Sequence, residues 1–449
     1  MKTVNEYEPA SVDEQRVELV VGEQPITMEF LTGFESTYMP DHDTDILETT
    51  RHLDLFGHDL ELVANGGIRT LRYPVPWHRI EREPGRYDWT WMDAVLGAMQ
   101  RLGLDPIVDP AHHTSFPAWL DKGFLDERFV GSYVAFVLAF AERYPWVSRY
   151  TPFNEPMPTT FFCAHEGFWK PYEAHERHWL KMARNVACAV SHVSRALKRA
   201  NPQIEIVHVD TCEAHHAIDE KSVPWARFLN DRRFLLHDLI MGRVGPGHRL
   251  YWFAQEHGTE AEDSISEEDL VWLRENPAQI DVLGLDYYCH SEQQFHATGS
   301  NIPSLAPYGF AEVARQYIER YNLPVMLTET NIRGHVSDRL SWLKYMVEQS
   351  EQLVAQGVDW RGFCWFPLID STDWDSLLRC AHNNLDPVGI YWLDEVRSRH
   401  ASELSEVYAA LAKRQITSAG IPAYTFLEPV ATELQGFMPQ MSHWEWREP

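Results

Sequence analysis

The stretch YTPFNE, residues 150–155, is a short segment suited to a strand that ends in an amide and a carboxylate. The stretch VMLTE, residues 325–329, has the same form and also ends in a glutamate. Their apolar, β-branched and aromatic residues predict two buried strands, Tyr150–Phe153 and Val325–Thr328. Each predicted strand therefore delivers a carboxylate at its C-terminal end.

Six further segments of the same kind occur along the chain: Thr27–Leu31, Thr70–Tyr73, Asp105–Asp109, Glu205–Val209, Val282–Leu285 and Gly362–Trp365. Helical patterns separate the segments, among them Trp91–Leu102, Phe129–Arg143 and His178–Arg199. Alternating strands and helices indicate βα units and a parallel sheet. Eight strands fit a closed (β/α)₈ (TIM) barrel of the α/β class. A doubly wound sheet is the alternative, but the sequence has no GxGxxG after a first strand and no GxxxxGK[ST].

The predicted domain organisation is one catalytic barrel over residues 1–449, because such barrels commonly exceed the usual domain length. An N-terminal extension of about residues 1–24 precedes it. A proline-containing tail from about 416 to 449 shows little periodicity, so we expect it to be irregular and to wrap the barrel.

The chain is acidic, with a formal net charge of −27 at pH 7. Such a surface repels nucleic-acid phosphates and anionic lipid, which argues against both as partners. No signal-peptide pattern and no apolar stretch long enough to span a membrane is visible. The 6 cysteines have no CxxC spacing, so we expect reduced thiols in a cytoplasmic protein. The sequence leaves the oligomeric state open, a homo-oligomer included.

Polar residues cluster at the predicted C-terminal strand ends, where barrel enzymes build their active sites. They are Arg72, His112, His113, Asn154, Glu155, Asp286, Tyr287, Tyr288, Glu329 and Trp365. Glu155 and Glu329 would face each other across the ring. Paired carboxylates suit the cleavage of a glycosidic bond, which needs one protonated and one ionised carboxyl group. A carbohydrate or glycoside is therefore the expected substrate.

At these residues the sequence resembles glycoside hydrolase family 1, the β-glucosidases. TPFNEP (151–156) resembles the family's T-x-N-E-P acid/base motif, and LTET (327–330) resembles its I/V-T-E-N-G nucleophile motif. Six further stretches match in the same order: FLTGFESTY (30–38), TLRYPVPWHRI (70–80), HHTSFPAWL (112–120), DVLGLDYYCH (281–290), RGFCWFPLIDSTDW (361–374) and PVGIYWLD (387–394). The resemblance spans residues 30 to 394.

The resemblance implies roles for individual residues. Glu155 would be the general acid/base and Glu329 the nucleophile of a retaining exo-β-glycosidase. Arg72 and Tyr288 would hold Glu329, and Asn154 would bind the sugar 2-hydroxyl. The other implied sugar contacts are His113, Trp365 as the floor of the subsite, and Trp374.

The sequence departs from the family pattern around the terminal sugar. Glu35 is the nearest polar residue to the place where the family has Gln, Asp286 replaces an Asn, and Asp373 replaces the Glu that binds the 4- and 6-hydroxyls. The subsite is thus more acidic than in the family, which suggests a deoxy- or amino-substituted sugar rather than plain glucose. A 6-phosphate is disfavoured, because Arg379 is the one cation in the loop 374–385.

No cofactor or metal is expected, since no HExxH motif and no HxH after the first strand occurs. Three alternatives stay open. One is an endo-acting or transglycosylating glycosidase of the same clan. Another is a barrel that binds sugars without catalysis, and the third is a metal-dependent barrel hydrolase.

Overall fold

The computed structural model describes residues 28–42, 44–251, 253, 264–422 and 424. Eight parallel strands close into a barrel, in which each pairs with its sequence neighbours and the last pairs with the first. They are β1 (Phe30–Gly33), β2 (Thr70–Pro74), β3 (Asp105–Asp109), β4 (Arg149–Tyr150), β5 (Glu205–Thr211), β6 (Val282–Asp286), β7 (Val325–Glu329) and β8 (Trp360–Trp365). The predicted α/β barrel is confirmed.

Helices follow the strands and form the outer layer. They are α1 (His52–Asn65), α2 (Thr90–Leu102), α3 (Phe129–Arg143), α4 (Pro156–Ala164), α5 (Glu176–Ala200), α6 (Val223–Arg232), α7 (Leu235–Ile240), α8 (Glu267–Glu275), α9 (Phe310–Tyr321), α10 (Val336–Ala355) and α11 (Glu403–Ala412). The three helices named from sequence match α2, α3 and α5 within two residues at each end. In the described residues, no helix has the length and apolar character that crossing a membrane requires.

Strand β4 is shorter than the sequence predicted, ending at Tyr150 instead of Phe153. Pro152 explains the difference, because it has no N–H to donate to the neighbouring strand. The chain nevertheless stays beside β3, since Thr151 N donates to Val108 O at 2.8 Å and Asn154 N to Ala111 O at 2.9 Å. The irregular segment leads directly to Glu155.

Two separate apolar clusters form the core. The larger one lies between the strands and the helices. The smaller one fills the barrel interior with Leu31, Ile107, Val207, Val209, Val282, Met326, Cys364 and Phe366. Alternate residues of a strand belong to opposite clusters, as the two-residue period of a strand requires.

Both predicted terminal segments lie largely outside the described residues. The extension at 1–24 falls there completely. Of the tail from 416, a 3₁₀ turn at Ser418–Gly420 is described, and Lys344 Nζ donates to Ser418 O at 2.9 Å.

Candidate active site

Glu155 is held at the mouth of the barrel by an unusual backbone conformation. It is the N-cap of α4 and has φ of 41°, in the left-handed region that non-glycine residues seldom occupy. Pro156 occupies the first turn of the helix, where a missing N–H costs nothing. The Glu155 N–H donates to Val209 O on β5 at 3.2 Å. Such strain clusters at functional sites.

Glu329 ends β7 and faces Glu155. One oxygen each of Glu155, Asp286 and Glu329 lies within 4.8 Å of the other two. The Tyr288 phenol donates to Glu329 Oε2 at 2.7 Å, and Arg72 Nη1 donates to Glu329 Oε1. Burial, followed by the Glu329 carboxylate, raises the pKa of Tyr288 well above its ordinary value, so the phenol keeps the proton that it donates.

Arg72, on β2, forms hydrogen bonds with residues at the C-terminal ends of two other strands. Its Nη2 donates to Asn154 Oδ1 at 2.5 Å, and its Nη1 also donates to Thr328 O at 3.1 Å. Burial works to lower the pKa of Arg72, but the carboxylates of Glu329, Asp286 and Asp109 outweigh it and raise the pKa. The cation is therefore permanent, and it pairs directly with the Glu329 carboxylate.

The two glutamates occupy different electrostatic environments. Burial raises the pKa of Glu155 well above its ordinary value, and the carboxylates of Glu329 and Asp286 raise it further. Arg72 opposes this rise but bonds directly to Glu329 and not to Glu155. The arrangement thus favours a proton on Glu155 and places the permanent cation against Glu329.

Both glutamates line a cavity of about 540 Å³ at the C-terminal end of the strands. Of the predicted substrate-binding residues, the cavity is also lined by Glu35, His113, Tyr288 and Trp374. His113 Nε2 lies 3.5 Å from Glu155 Oε2, and its ring packs at 5.6 Å from that of Trp374. Burial, and then the neighbouring His112, lowers the pKa of His113 to about 3, so its ring is neutral.

Three of the predicted site residues are buried beside the cavity and do not line it: Arg72, Asn154 and Asp286. Asn154 is fully buried, and its Nδ2 has no partner in the described part of the chain. Asp286 accepts from Thr328 Oγ1 at 2.6 Å through Oδ1, while its Oδ2 has no partner there. Burial, followed by Glu329, raises the pKa of Asp286 well above its ordinary value.

Trp365 does not form the floor of the cavity that its sequence position suggested. It is fully buried in the outer cluster, where its Nε1 donates to Val388 O at 2.9 Å. The next residue, Phe366, faces inward and lines the cavity, because side chains alternate along β8. Gly33 provides the space, since a Cβ at Gly33 would lie 2.6 Å from the Phe366 ring.

Asp373 also lies outside the lining. It has φ of 60°, and its two oxygens accept from the Asn383 and Asn384 N–H groups at 2.9 and 2.8 Å. The carboxylate therefore closes its own loop instead of facing a sugar. Arg379 of the same loop lies over the Phe168 ring at 4.8 Å.

Several cavity residues were not singled out from the sequence. Asp386 and Arg333 line the cavity and form an ion pair of 2.6 Å, and Glu213 lies 3.4 Å from His215 Nε2. Trp169 packs at 6.1 Å from the Trp374 ring. These residues come from loops and helix ends, where no strand period marks which side chains face inward.

Two groups of described residues have the spacing of metal ligands. One is the trio of Glu155, Asp286 and Glu329. The other is His208, Asp210 and His237, all buried, in which His208 Nε2 lies 3.0 Å from His237 Nδ1. Arg72 beside the first group supplies the positive charge that a cation would otherwise bring.

The comparisons with known proteins agree on a glycosidase barrel. A glycoside hydrolase family 42 model, described as β-galactosidase, matches residues 38–134. The chain is 21% identical to β-glucosidase A of Thermotoga maritima, over 72% of this chain and 78% of that protein. It is 22% identical to the chloroplastic 4-hydroxy-7-methoxy-3-oxo-3,4-dihydro-2H-1,4-benzoxazin-2-yl glucoside β-D-glucosidase of Secale cereale, over 74% and 69% of the two chains.

Solved structures share the fold. The family 1 β-glucosidase of Thermotoga maritima superposes with a TM-score of 0.73 at 17% identity, covering 87% of this chain and 98% of that one. The same β-glucosidase in complex with azafagomine gives a TM-score of 0.72 at 18% identity, with the same coverage. The chain is a glycoside hydrolase built on a (β/α)₈ barrel, similar to the family 1 β-glucosidases.

Proposed function

We propose that the chain is a retaining exo-β-glycosidase, with Glu329 as nucleophile and Glu155 as general acid/base. The observation that supports this most strongly is that one carboxylate oxygen of Glu155 lies within 4.8 Å of one carboxylate oxygen of Glu329. Retaining enzymes hold their two carboxyl groups about 5–5.5 Å apart, whereas inverting enzymes need about 6.5–9.5 Å to admit a water.

In the first step, a Glu329 oxygen attacks the anomeric carbon while the bond to the leaving oxygen breaks. Glu155 gives its proton to that oxygen, so the aglycone leaves as a neutral alcohol. The elevated pKa of Glu155, caused first by burial, suits a residue that must hold a proton near neutral pH. The product is a glycosyl ester on Glu329, with Glu155 now ionised.

In the second step, Glu155 takes a proton from a water molecule whose oxygen attacks the anomeric carbon. The ester bond to Glu329 breaks, and both glutamates return to their starting states. Two inversions give net retention of configuration. Tyr288 and Arg72 stabilise the Glu329 carboxylate before attack and after release, through the hydrogen bonds described above.

Asn154 does not line the cavity, but its buried Nδ2 has no acceptor among the described residues, which is costly, so it is the proposed donor to a 2-hydroxyl that reaches this side of the cavity. The aromatic rings of Trp374, Trp169 and Phe366 at the cavity wall provide apolar surface for the sugar.

The test is trapping with a 2,4-dinitrophenyl 2-deoxy-2-fluoro-β-glycoside, followed by peptide mass analysis. We expect one fluoroglycosyl group on the peptide that contains Glu329. Proton NMR of early products should show the β-anomer first. Initial formation of the α-anomer, or a label on another residue, would overturn the assignment. Release of single sugars from an oligosaccharide, with no intermediate-length products, tests the exo mode.

A further inference from the structure

The side chain of Glu35 presents one carboxylate oxygen to the cavity. Oε1 is saturated, because it accepts from Ser36 N and Thr37 N, each at 2.8 Å, and from Thr37 Oγ1 at 2.7 Å. Oε2 accepts no hydrogen bond from the described residues, and they do not enclose it completely. Since Glu35 lines the cavity, its Oε2 is open to whatever binds there.

Glu35 belongs to a row of buried, contacting ionisable side chains that ends at the proposed nucleophile. His112 Nε2 lies 3.3 Å from Glu35 Oε1, and His112 Nδ1 lies 2.7 Å from Asp109 Oδ2. Arg72 Nη2 lies 3.8 Å from the same Asp109 oxygen and pairs through Nη1 with Glu329. The order of contacts in this row is therefore Glu35, His112, Asp109, Arg72 and Glu329.

This row of contacting side chains contains more acidic than basic groups. Burial lowers the pKa of His112, but Glu35 and Asp109 outweigh it and raise that pKa to about 10. Burial raises the pKa of Glu35, but His112 outweighs it and lowers that pKa to about 2. Three acids, Glu35, Asp109 and Glu329, share two basic partners, His112 and Arg72. Excess buried charge is unfavourable unless a partner compensates it.

The other cavity acids that are not catalytic have partners. Asp386 pairs with Arg333 at 2.6 Å, and Glu213 lies 3.4 Å from His215 Nε2. Glu35 differs because its imidazolium partner is shared with Asp109, and because its free oxygen faces the ligand space. An ionised carboxylate only accepts hydrogen bonds, so the bound group must donate.

We propose that this glycosidase prefers a terminal sugar with a free ammonium group, which Glu35 binds through Oε2. The inference rests on the proposed function. An ammonium offers three donors and the missing positive charge, whereas a hydroxyl offers one donor and no charge.

Glu35 lies at a distance from the two catalytic glutamates, which limits where the amine can be. The anomeric carbon must lie between Glu155 and Glu329, and Asn154 serves the adjacent carbon. Glu35 is separated from Glu155 by His112 and His113, whose rings lie 4.7 Å apart. We therefore test amines at C3 and C4, the ring carbons that lie farther from the anomeric carbon.

The test compares kcat/KM for p-nitrophenyl β-D-glucoside with its 3-amino-3-deoxy and 4-amino-4-deoxy analogues, and with the N-acetylated forms of both amines. We expect one amine to exceed the parent glucoside by about 10- to 100-fold, the range of a charge-assisted hydrogen bond. The preference should vanish on N-acetylation, and it should fall as the pH rises through the pKa of the substrate amine.

The variants are Glu35→Gln and, as matched control, Glu213→Gln, which alters a cavity acid that already has a partner. Glu35→Gln should bring the ratio of amine to parent close to one, while Glu213→Gln should preserve the wild-type ratio. Equal or better turnover of the parent glucoside by the wild type, or an unchanged ratio in Glu35→Gln, would overturn the inference.

The two proposals fail in distinguishable ways. If no glycoside is hydrolysed and the fluoroglycoside labels nothing, the proposed function fails. If Glu329 is labelled and neutral glucoside is hydrolysed without any preference for the amines, the proposed function stands and the ammonium site is wrong. The wild-type comparison with N-acetylated substrates tests the ammonium preference even if Glu35→Gln does not fold.

Discussion

The Tyr288 hydroxyl donates a hydrogen bond of 2.7 Å to Oε2 of Glu329, on the face of the carboxylate opposite Arg72. Each oxygen of the proposed nucleophile thus has one strong donor. The pair of donors fixes the plane of the carboxylate, and the donor to the attacking oxygen must give way as the ester bond forms, while the other oxygen becomes a carbonyl that can keep its donor.

Replacing Tyr288 with Phe removes one of these donors and little volume. A hydrogen bond to a charged group contributes about 1.5–3 kcal/mol, so we expect kcat/KM to fall about 10- to 100-fold. Steady-state kinetics on an activated aryl glycoside provide the measurement. Tyr287→Phe is the control, because the Tyr287 hydroxyl donates to Glu292 at 2.8 Å and not to Glu329. A larger loss in the control would contradict the role of Tyr288.

Replacing either proposed catalytic glutamate with Ala should lower kcat/KM by at least about 10³-fold. Sodium azide should rescue the two variants with opposite stereochemistry. In Glu329→Ala, azide enters the space of the lost carboxylate and gives the α-glycosyl azide. In Glu155→Ala, azide attacks the covalent intermediate and gives the β-glycosyl azide. NMR of the products distinguishes them, and the same anomer from both variants would exclude double displacement by this pair.

Replacing Asp286 with Asn should shift the alkaline limb of the pH profile to lower pH. The Asp286 carboxylate is one cause of the raised pKa of Glu155, after burial and Glu329. Removing it makes the Glu155 proton easier to lose, so the acid form disappears at a lower pH. The measurement is kcat/KM against pH. Asp105→Asn is the control, since Asp105 pairs with Arg149 at the opposite end of the barrel. A limb that moves upward would contradict the electrostatic argument.

Treatment with EDTA should leave activity unchanged. The two donors to Glu329, together with the proton on Glu155, satisfy the reacting carboxyl groups without a cation. The buried group of His208, Asp210 and His237 is held partly by its own hydrogen bond. Activity after dialysis against EDTA, with and without added Zn²⁺ or Mn²⁺, is the measurement. Loss of activity that is restored by metal would favour the metal-dependent alternative.

The sequence was sufficient to predict the barrel, because each strand is a buried apolar segment and each helix has its own period. The convergence of Glu155, Glu329, Arg72 and Tyr288 also follows from strand ends, which a parallel barrel brings to one face. Charge partners such as His112 for Glu35 could not be predicted, because the contact joins two loops whose conformations depend on the whole fold.

Asp373 and Trp365 show where the motif comparison loses register. Trp365 is the last residue of β8, and Asp373 lies in the loop beyond that strand. Asp373 is used locally by its loop, through backbone donors that the sequence does not reveal. The two-residue period of β8 predicts the outward position of Trp365 correctly, since Cys364 and Phe366 share the inward face.

The neighbours Trp365 and Phe366 therefore provide a matched pair of substitutions. Trp365→Phe removes a buried ring and the hydrogen bond to Val388 O, so we expect the free energy of unfolding to fall by about 1–3 kcal/mol. KM should stay near the wild-type value, because Trp365 does not line the cavity. Phe366→Leu should raise KM instead, since it removes the ring at the cavity wall beneath which Arg72 lies, 5.0 Å from the ring centre. Denaturant unfolding and steady-state kinetics on both variants separate the two effects. A raised KM in Trp365→Phe with an unchanged KM in Phe366→Leu would show that the motif register, and not the alternation along β8, identifies the sugar-binding ring.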